Sequence, residues 1–462
     1  MNAPFLLFLL TALTLALAVI FRNDIRSASI LSAAGALICA VFIFIVPIDQ
    51  ATEIFGLPFR LEASWQLLGR ALLLNEVTQP MVGFLFLSGG FLLLPSWLAR
   101  GSRYFPALAV ATLSVAAAAL MATPFLYAAV FIEFAAIGGG LILASRGPSR
   151  NLGPLRLLTL YTLAMLIILI AGWILDQGSI TSATTQLANQ TAMVLIFGIA
   201  VLILIPPFHI WLINGSEEAN PYALAFVVVM LQSAALFFIF RFLDAYPWLR
   251  ENEIAFQALR AGGLLCLAVG TSFAASQRDL RKVLAYMIVA DIGFTLLAIG
   301  TFSTSGYRLA LGMTASRIVS LGVLGLGLSV LLADQKAGPS IIDVGDADVL
   351  PRVVVFAGML SLSGFPLTAG FPGRWSLLTS LLDTNSVSAY LVFAAYFGLA
   401  IMTIWWGYRL LRTGVEPMWK GLDAASVFMT LGIAIILLLG IFPQLTFPWV
   451  VDLVSGLNRL FG

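Results

Sequence analysis

Charge is what this sequence has least of. Asp, Glu, Lys and Arg make up 10% of its 462 residues, against about 25% in a soluble domain. The charges nearly cancel, 24 basic against 22 acidic, leaving +2. So sparse and balanced a set excludes a disordered chain and a nucleic-acid binder working through a basic surface. It is also too little polar surface to wrap a water-soluble protein of this length. Histidine occurs once, as His209, and cysteine twice, as Cys39 and Cys266 in separate apolar stretches. With no CxxC pair and a single imidazole, haem, iron–sulfur and zinc sites are not expected within the chain. What is plentiful is apolar: 61% of residues are hydrophobic and the mean hydropathy is +1.02. The chain uses lipid as its solvent.

A helix needs about 20 mostly apolar residues to cross the hydrocarbon core. Segments of that kind lie near 3–21, 28–47, 79–99, 105–122, 124–144, 155–175, 190–213 and 221–243. Six more lie near 256–276, 282–302, 307–333, 350–382, 389–411 and 424–443. The sequence therefore predicts an all-α polytopic membrane protein of about 14 transmembrane helices. Spans 4 and 5 divide at Thr123 and Pro124. Met1 to Ile20 has no basic residue ahead of it, unlike a cleaved signal peptide, and reads as a retained first span. The polar interlude from Ile48 to Thr78 reads as an external loop with room for a short interfacial helix. The tail from Leu445 to Gly462 is too short and interrupted for a fifteenth span.

Sidedness tests that count. Loops after odd-numbered spans carry 15 basic residues: Arg22, Arg26, Arg100, Arg103, Arg146, Arg150, Arg156, Arg278, Arg281, Lys282, Lys336, Arg352, Arg409, Arg412 and Lys420. The other side carries 6: Arg60, Arg70, Arg250, Arg260, Arg308 and Arg459. The positive-inside rule then puts the odd loops in the cytoplasm and both termini outside.

Ionisable groups within a span are costly and mark candidate functional sites. Glu133 lies in FLYAAVFIEFAAIGGG, Asp291 in VLAYMIVADIGFTLL, Arg317 in GMTASRIVSLG and Arg374 in GFPGRW. A lone carboxylate among Phe, Ala and Ile can load and release a proton, or can bind neighbouring helices together. His209 and the pair Glu217 and Glu218 close span 7, and Arg241 lies near the end of span 8. Two spans look broken. LILIPPFHIWL holds Pro206 and Pro207, each of which removes an amide donor. LSLSGFPLTAGFPGRW holds Gly364, Pro366, Gly370, Pro372 and Gly373. Irregular backbone at membrane depth is tolerated only inside protein or beside a water-filled cavity.

The breaks fall in spans 7 and 12, five apart. Glu133 and Asp291 fall in spans 5 and 10, also five apart. Arg241 and Arg409 close spans 8 and 13. A five-span unit crosses an odd number of times, so its second copy is upside down. This order predicts two inverted five-helix repeats, at 105–243 (spans 4–8) and 256–411 (spans 9–13). They are preceded by 1–104 and followed by 412–462. Broken helices in matching places of two halves are the usual pointer to an ion path.

FIEFAAI, PPFHIWL followed by EEANP, SQRDLRKVLAY with its later IGF, and SGFPLTAGFPGRW occur in that order between Ala107 and Arg412. On these motifs the chain resembles the proton-translocating antiporter-like subunits of respiratory complex I, membrane-bound hydrogenases and multi-subunit sodium/proton antiporters. The tail after span 14 leaves no room for the long lateral helix of the largest such subunit. The length fits the two shorter complex I paralogues, of the M or N type. The resemblance implies a membrane-arm subunit of a complex I-type NADH:quinone oxidoreductase involved in proton translocation. FMN, iron–sulfur clusters and quinone would then belong to partner subunits, with no cofactor or redox centre in this chain. The implied location is the bacterial plasma membrane, among other membrane-arm subunits. Two other readings stand beside it: a subunit of a multi-subunit cation/proton antiporter, and a structural paralogue that no longer conducts.

Residue by residue, Glu133 matches the family's buried span 5 glutamate. Arg374 stands where the family has Lys or Glu in span 12. The other positions depart. The span 7 lysine is Leu202, the span 8 lysine falls at Gln232 or Ser233, and the central histidine is Asp291. Arg317 remains as the cation of span 11. A buried lysine can shuttle a proton, whereas arginine effectively cannot release one. The first half thus looks stripped and the second rewired around Asp291, Arg317 and Arg374. His209 is either a proton-uptake residue at a cytoplasmic mouth or a helix-end group satisfying loose carbonyls. The QRDLRK run reads as a loop ionic cluster. The candidate proton-path residues are Glu133, Asp291, Arg317, Arg374, His209 and Gln232.

Overall fold

The computed structural model describes residues 2–49, 51–54, 57–67, 69–144, 151–177, 185–250, 252–333, 349–384, 386–412 and 423–445, with 448, 450 and 457. Arg146, Arg150, Lys336, Lys420 and most of the tail after Leu445 lie outside the described residues.

Each of the fourteen predicted segments contains helix. Helices α1 (Ala3–Ile20) and α2 (Ile25–Ile45) come first, and strands β1 (Ala51–Ile54), β2 (Leu57–Arg60), β3 (Ser64–Leu67) and β4 (Arg70–Leu73) follow. Next are α3 (Thr78–Leu93), α4 (Phe105–Met121), the short β5 (Ala122–Thr123), α5 (Ala128–Leu143) and α6 (Leu152–Gln177). The seventh segment is split into α7 (Thr185–Leu202) and α8 (Ile210–Glu218). Then come α9 (Pro221–Ala245), α10 (Pro247–Arg250), α11 (Glu253–Ser276), α12 (Leu280–Gly300) and α13 (Thr304–Ala333). The twelfth segment is likewise split, into α14 (Val349–Ser363) and α15 (Phe371–Thr384), before α16 (Ser386–Arg412) and α17 (Ala424–Ile441). Among the described residues, nine helices are at least 18 residues long and apolar enough to cross a membrane, and five further apolar helices are shorter.

The interlude between α2 and α3 differs from expectation: no interfacial helix is described there, but two antiparallel hairpins. Ala51 pairs with Arg60 and Ile54 with Leu57 in the first, Ser64 with Leu73 and Leu67 with Arg70 in the second. Gly69, at φ +75°, takes the left-handed turn of the second hairpin, which suits a residue without Cβ. The second hairpin adds β5 at its edge, through Ala71 with Thr123 and Leu72 with Ala122. The Asn2 side chain donates to the Ser64 carbonyl at 2.7 Å, and the Ala3 amide to Glu62 at 2.8 Å. The chain's start, the loop after span 2 and the α4–α5 junction therefore meet on one face.

The odd loops meet on the other. The guanidinium of Arg22 lies over Tyr104 and that of Arg26 over Trp97. The Asn220 side chain donates to the Ala99 carbonyl at 2.8 Å. Glu218 accepts from the Leu152 and Gly153 amides, both at 2.9 Å, and so neutralises the amino end of α6. Glu217 pairs with Lys282, and its carbonyl accepts from Arg281, which also pairs with Asp279. QRDLRK is thus an ionic cluster that ties the ends of α8 and α12. Arg352 departs from its expected place in a loop. It is fully buried in the first turn of α14, where its guanidinium reaches the Leu410 carbonyl in the last turn of α16. The negative end of α16 recovers part of the cost of burying that charge.

Packing repeats between the two halves. In the first, α4 packs on α5 and α9, and α6 packs on α5, α7 and α8. In the second, α11 packs on α12 and α16, and α13 packs on α12, α14 and α15. The helix α9 is buried from Pro221 to Phe240 and α12 almost throughout, whereas little of α17 is buried. Without a hydrophobic driving force between helices in lipid, close approach of small residues supplies the contact. The α11–α12 seam shows this. A Cβ on Gly270 would lie 2.5 Å from the Ala290 amide nitrogen, and one on Gly293 would lie 2.7 Å from the Gly263 carbonyl oxygen.

Replacing Gly270 by Leu should therefore pry α11 from α12 and cost about 1–3 kcal/mol. Gly101→Ala, with nothing within 4 Å of the added carbon, should stay within about 0.5 kcal/mol of wild type. Thermal unfolding followed by maleimide labelling of buried Cys266 on α11 measures both. Equal labelling curves for the two variants would refute close packing at this seam.

Candidate functional site: buried carboxylates and two helix breaks

Both predicted breaks are real interruptions of helix. After Leu202 the backbone leaves α7, and Leu204 takes a left-handed conformation at φ +67° before Pro206 and Pro207. After Ser363 the chain passes through Gly364 at φ +80° and Leu367 at φ +67° before α15 begins at Phe371. A left-handed leucine costs about 1–3 kcal/mol and persists only where its surroundings fix it.

Each break leaves carbonyls without helical partners, and in lipid these must be met by side chains. At the first, the Tyr161 hydroxyl donates to the Leu202 carbonyl at 3.2 Å and the Gln232 amide donates to it at 3.3 Å. At the second, the Tyr396 hydroxyl donates to Gly364, and Arg374 Nη1 donates to Gly370 at 2.8 Å and to Ser361 at 3.3 Å. Gln232 on α9 and Tyr396 on α16 occupy matching helices of the two halves and do matching work. Gln232 therefore serves the break of its own half. Ser233 beside it is also buried.

Asp291, Arg317 and Arg374 come together from three elements. Arg317 Nε donates to Asp291 Oδ2, and Arg374 Nη2 donates to Asp291 Oδ1. Exposures are 1%, 4% and 2% respectively. Arg317 also donates to the Thr295 hydroxyl, one helical turn beyond Asp291 on α12. The face of Phe294 lies 5.1 Å from the Arg374 guanidinium carbon and supports its charge. Two cations thus share one carboxylate. Arg374 lies at the amino end of α15 and bonds the carboxyl end of α14, so the two helix ends offset each other around it. A cavity of about 20 Å³, room for about one water, lies between Gln232, Thr295 and Arg317.

Glu133 is not part of that cluster. It is half-buried on α5, and its Oε1 accepts from the Thr162 hydroxyl on α6 at 2.5 Å. Its Oε2 is buried with no hydrogen-bond partner. Leu202 is buried and apolar and cannot pair with it. His209 is separate again. It sits at the cap of α8 beside Tyr286, ring centroids 6.1 Å apart, with Nδ1 buried and unpartnered. Arg241 and Arg409, matched in sequence order, differ in surroundings. Arg241 reaches the Leu120 and Ala122 carbonyls, whereas Arg409 lies over the exposed Trp405.

Sequence reasoning missed Thr162, Tyr161, Thr295 and Tyr396. Thr295 carried a signal, since it lies four residues from Asp291 on one helix face. The others touch their partners across more than 25 residues, and no local pattern marks them. Among the described residues no group of three or more His, Cys, Asp or Glu side chains assembles. Cys39 and Cys266 are buried apart, in α2 and α11.

Known proteins share this architecture. Residues 157–402 match the family described as NADH:quinone oxidoreductase/Mrp antiporter, transmembrane. The chain is 26% identical to NADH-quinone oxidoreductase subunit N 1 of Herpetosiphon aurantiacus over 52% of this chain and 50% of the relative. It is 26% identical to subunit N of Saccharopolyspora erythraea over 59% of this chain and 55% of the relative. The match thus spans about half the length of these curated relatives. Among solved structures, a chain of respiratory complex I from Thermus thermophilus superposes with TM-score 0.73 at 21% identity, covering 98% of this chain and all of that one. A chain of the Mrp complex from Dietzia sp. DQ12-45-1b superposes with TM-score 0.77 at 16% identity, with both chains fully covered. The fold is therefore that of polytopic antiporter-like membrane subunits, and by the extent of the family match the chain belongs to the NADH:quinone oxidoreductase/Mrp antiporter transmembrane family.

Proposed function

We propose that the chain is an antiporter-like membrane-arm subunit of a complex I-type NADH:quinone oxidoreductase and takes part in moving protons across the membrane. The observation that carries this reading is an intramembrane acid in the second helix of each half, Glu133 on α5 and Asp291 on α12. Relatives named as subunit N of NADH-quinone oxidoreductase favour that assembly over a stand-alone antiporter. Its partners are other membrane-arm subunits. FMN, iron–sulfur clusters and quinone reside in partner chains. The face bearing Arg22, Arg26, Glu217 and Lys282 is the cytoplasmic side of a bacterial plasma membrane, with both termini outside.

The two halves, 105–243 and 256–411, divide the work. In the first, the Glu133 carboxyl group is where a proton adds. In the second, Arg317 and Arg374 cannot give up protons, so they fix Asp291 and set the charge around it. A proton reaching Asp291 must displace a charge-assisted hydrogen bond, and those are the strong ones. Gln232 and the one-water cavity beside it lie between the halves. His209, with its free Nδ1, stands at the cytoplasmic end of the first break.

In the assembled complex in vesicles, Glu133→Gln should lower protons pumped per quinone reduced, while Glu133→Asp retains part of it. Wild-type pumping by Glu133→Gln would point instead to a non-conducting subunit. Asp291→Asn should fail differently. It leaves two buried guanidiniums uncompensated and should cost about 3–5 kcal/mol, read as loss of the subunit from the purified complex. Adding Arg317→Gln and Arg374→Gln removes the excess charge and should restore assembly. Full assembly by Asp291→Asn alone would contradict the charge balance drawn here.

A further inference from the structure

Among the described residues Glu133 makes no ion pair, and its Oε2 is buried without a partner. Its hydrogen-bond partner is Thr162, and that hydroxyl has two acceptors in reach. Thr162 Oγ1 lies 2.5 Å from Glu133 Oε1 and 2.9 Å from the Leu158 carbonyl oxygen one turn back on α6. A hydroxyl has one hydrogen, so it serves one of these at a time. We propose that Thr162 is a positioning residue that keeps Glu133 hydrogen-bonded in both of its protonation states by turning between Glu133 and Leu158. This rests on the reading of Glu133 as a proton-loading group.

The bookkeeping closes without any other residue. With Glu133 ionised, the Thr162 hydrogen points to Oε1 and the carboxylate has a donor. When a proton adds to the carboxyl group, the acid becomes the donor and Thr162 Oγ1 the acceptor. The threonine hydrogen then turns to the Leu158 carbonyl, a back-bond that threonine makes readily within a helix. One proton enters, one O–H bond forms, and the Thr162–Glu133 hydrogen bond survives with its direction reversed, while Oε2 keeps no partner in either state. Loss of the proton reverses each step. A valine at 162 would keep the shape and remove the switch, leaving a buried carboxyl oxygen without its donor.

Charged and titratable side chains on the helices packed against α5 are few. α4 carries none. α6 carries Arg156, Tyr161 and Asp176, α9 carries Tyr222, Arg241 and Asp244, and the short turn ahead of α5 carries Tyr127, to which Arg70 donates. Tyr161 is engaged by the Leu202 carbonyl, Tyr222 by Leu92 and Arg241 by Leu120. Among the described residues no ion pair is made by Glu133. Thr162 thus meets Glu133 through hydrogen bonding rather than charge.

The test uses the whole assembly, purified and reconstituted, with Thr162→Val, Thr162→Ser and Glu133→Gln. Infrared spectra recorded across a pH titration should show a carboxylic acid C=O band that Glu133→Gln abolishes. In Thr162→Val that band should move to higher frequency, as loss of the hydrogen bond predicts. Pumping should fall in Thr162→Val, and Thr162→Ser should restore both. A band unmoved in Thr162→Val, or moved equally in Thr162→Ser, overturns the role of Thr162 while leaving Glu133 as the loading site. Absence of any band removed by Glu133→Gln overturns the proton-loading reading itself, and the switch with it.

Discussion

The buried carboxylate of Asp291, shared between Arg317 and Arg374, is the interaction on which the second half of the molecule depends. It joins α12, α13 and α15 at membrane depth, where unpaired charge is tolerated least. It also makes the second helix break possible. Arg374 can meet the loose carbonyls of Ser361 and Gly370 only because its own charge is met by Asp291 and the face of Phe294. The break, the ion cluster and the packing of α14 and α15 are therefore one arrangement.

The first half has the same helix order and a different chemistry. Its break is held by neutral donors, Tyr161 and Gln232, on a single carbonyl. Among the described residues its acid makes no ion pair, and a threonine hydroxyl donates to it. Two halves of one packing scheme thus carry an immobile ion cluster on one side and a hydrogen-bonded, half-free carboxyl on the other. Backbone satisfaction in lipid is a demand both halves must meet. The side chains that meet it differ.

Legibility followed the range of each interaction. The apolar segments, both breaks and the intramembrane acids could be read locally, because hydropathy and proline act within a few residues. The division of α4 from α5 at Thr123 and Pro124 was readable for the same reason. The hairpins at 51–73 were missed because short strands beside a membrane carry no strong period of their own. Arg352 was assigned to a loop because its charge argued for water. Its actual partner, the Leu410 carbonyl, lies 58 residues away.

Sequence alone showed that lipid is this protein's solvent, where helices run and break, and that the cations beside the broken second segment are arginines. Those follow from composition and proline, which need no partner. Only the tertiary structure decided which charges meet. It set Asp291 between two arginines from elements 26 and 83 residues away, and it gave Glu133 a threonine instead of a cation. A hydrogen bond between distant helices is fixed by how they pack, and that packing is shared among every residue of the seam.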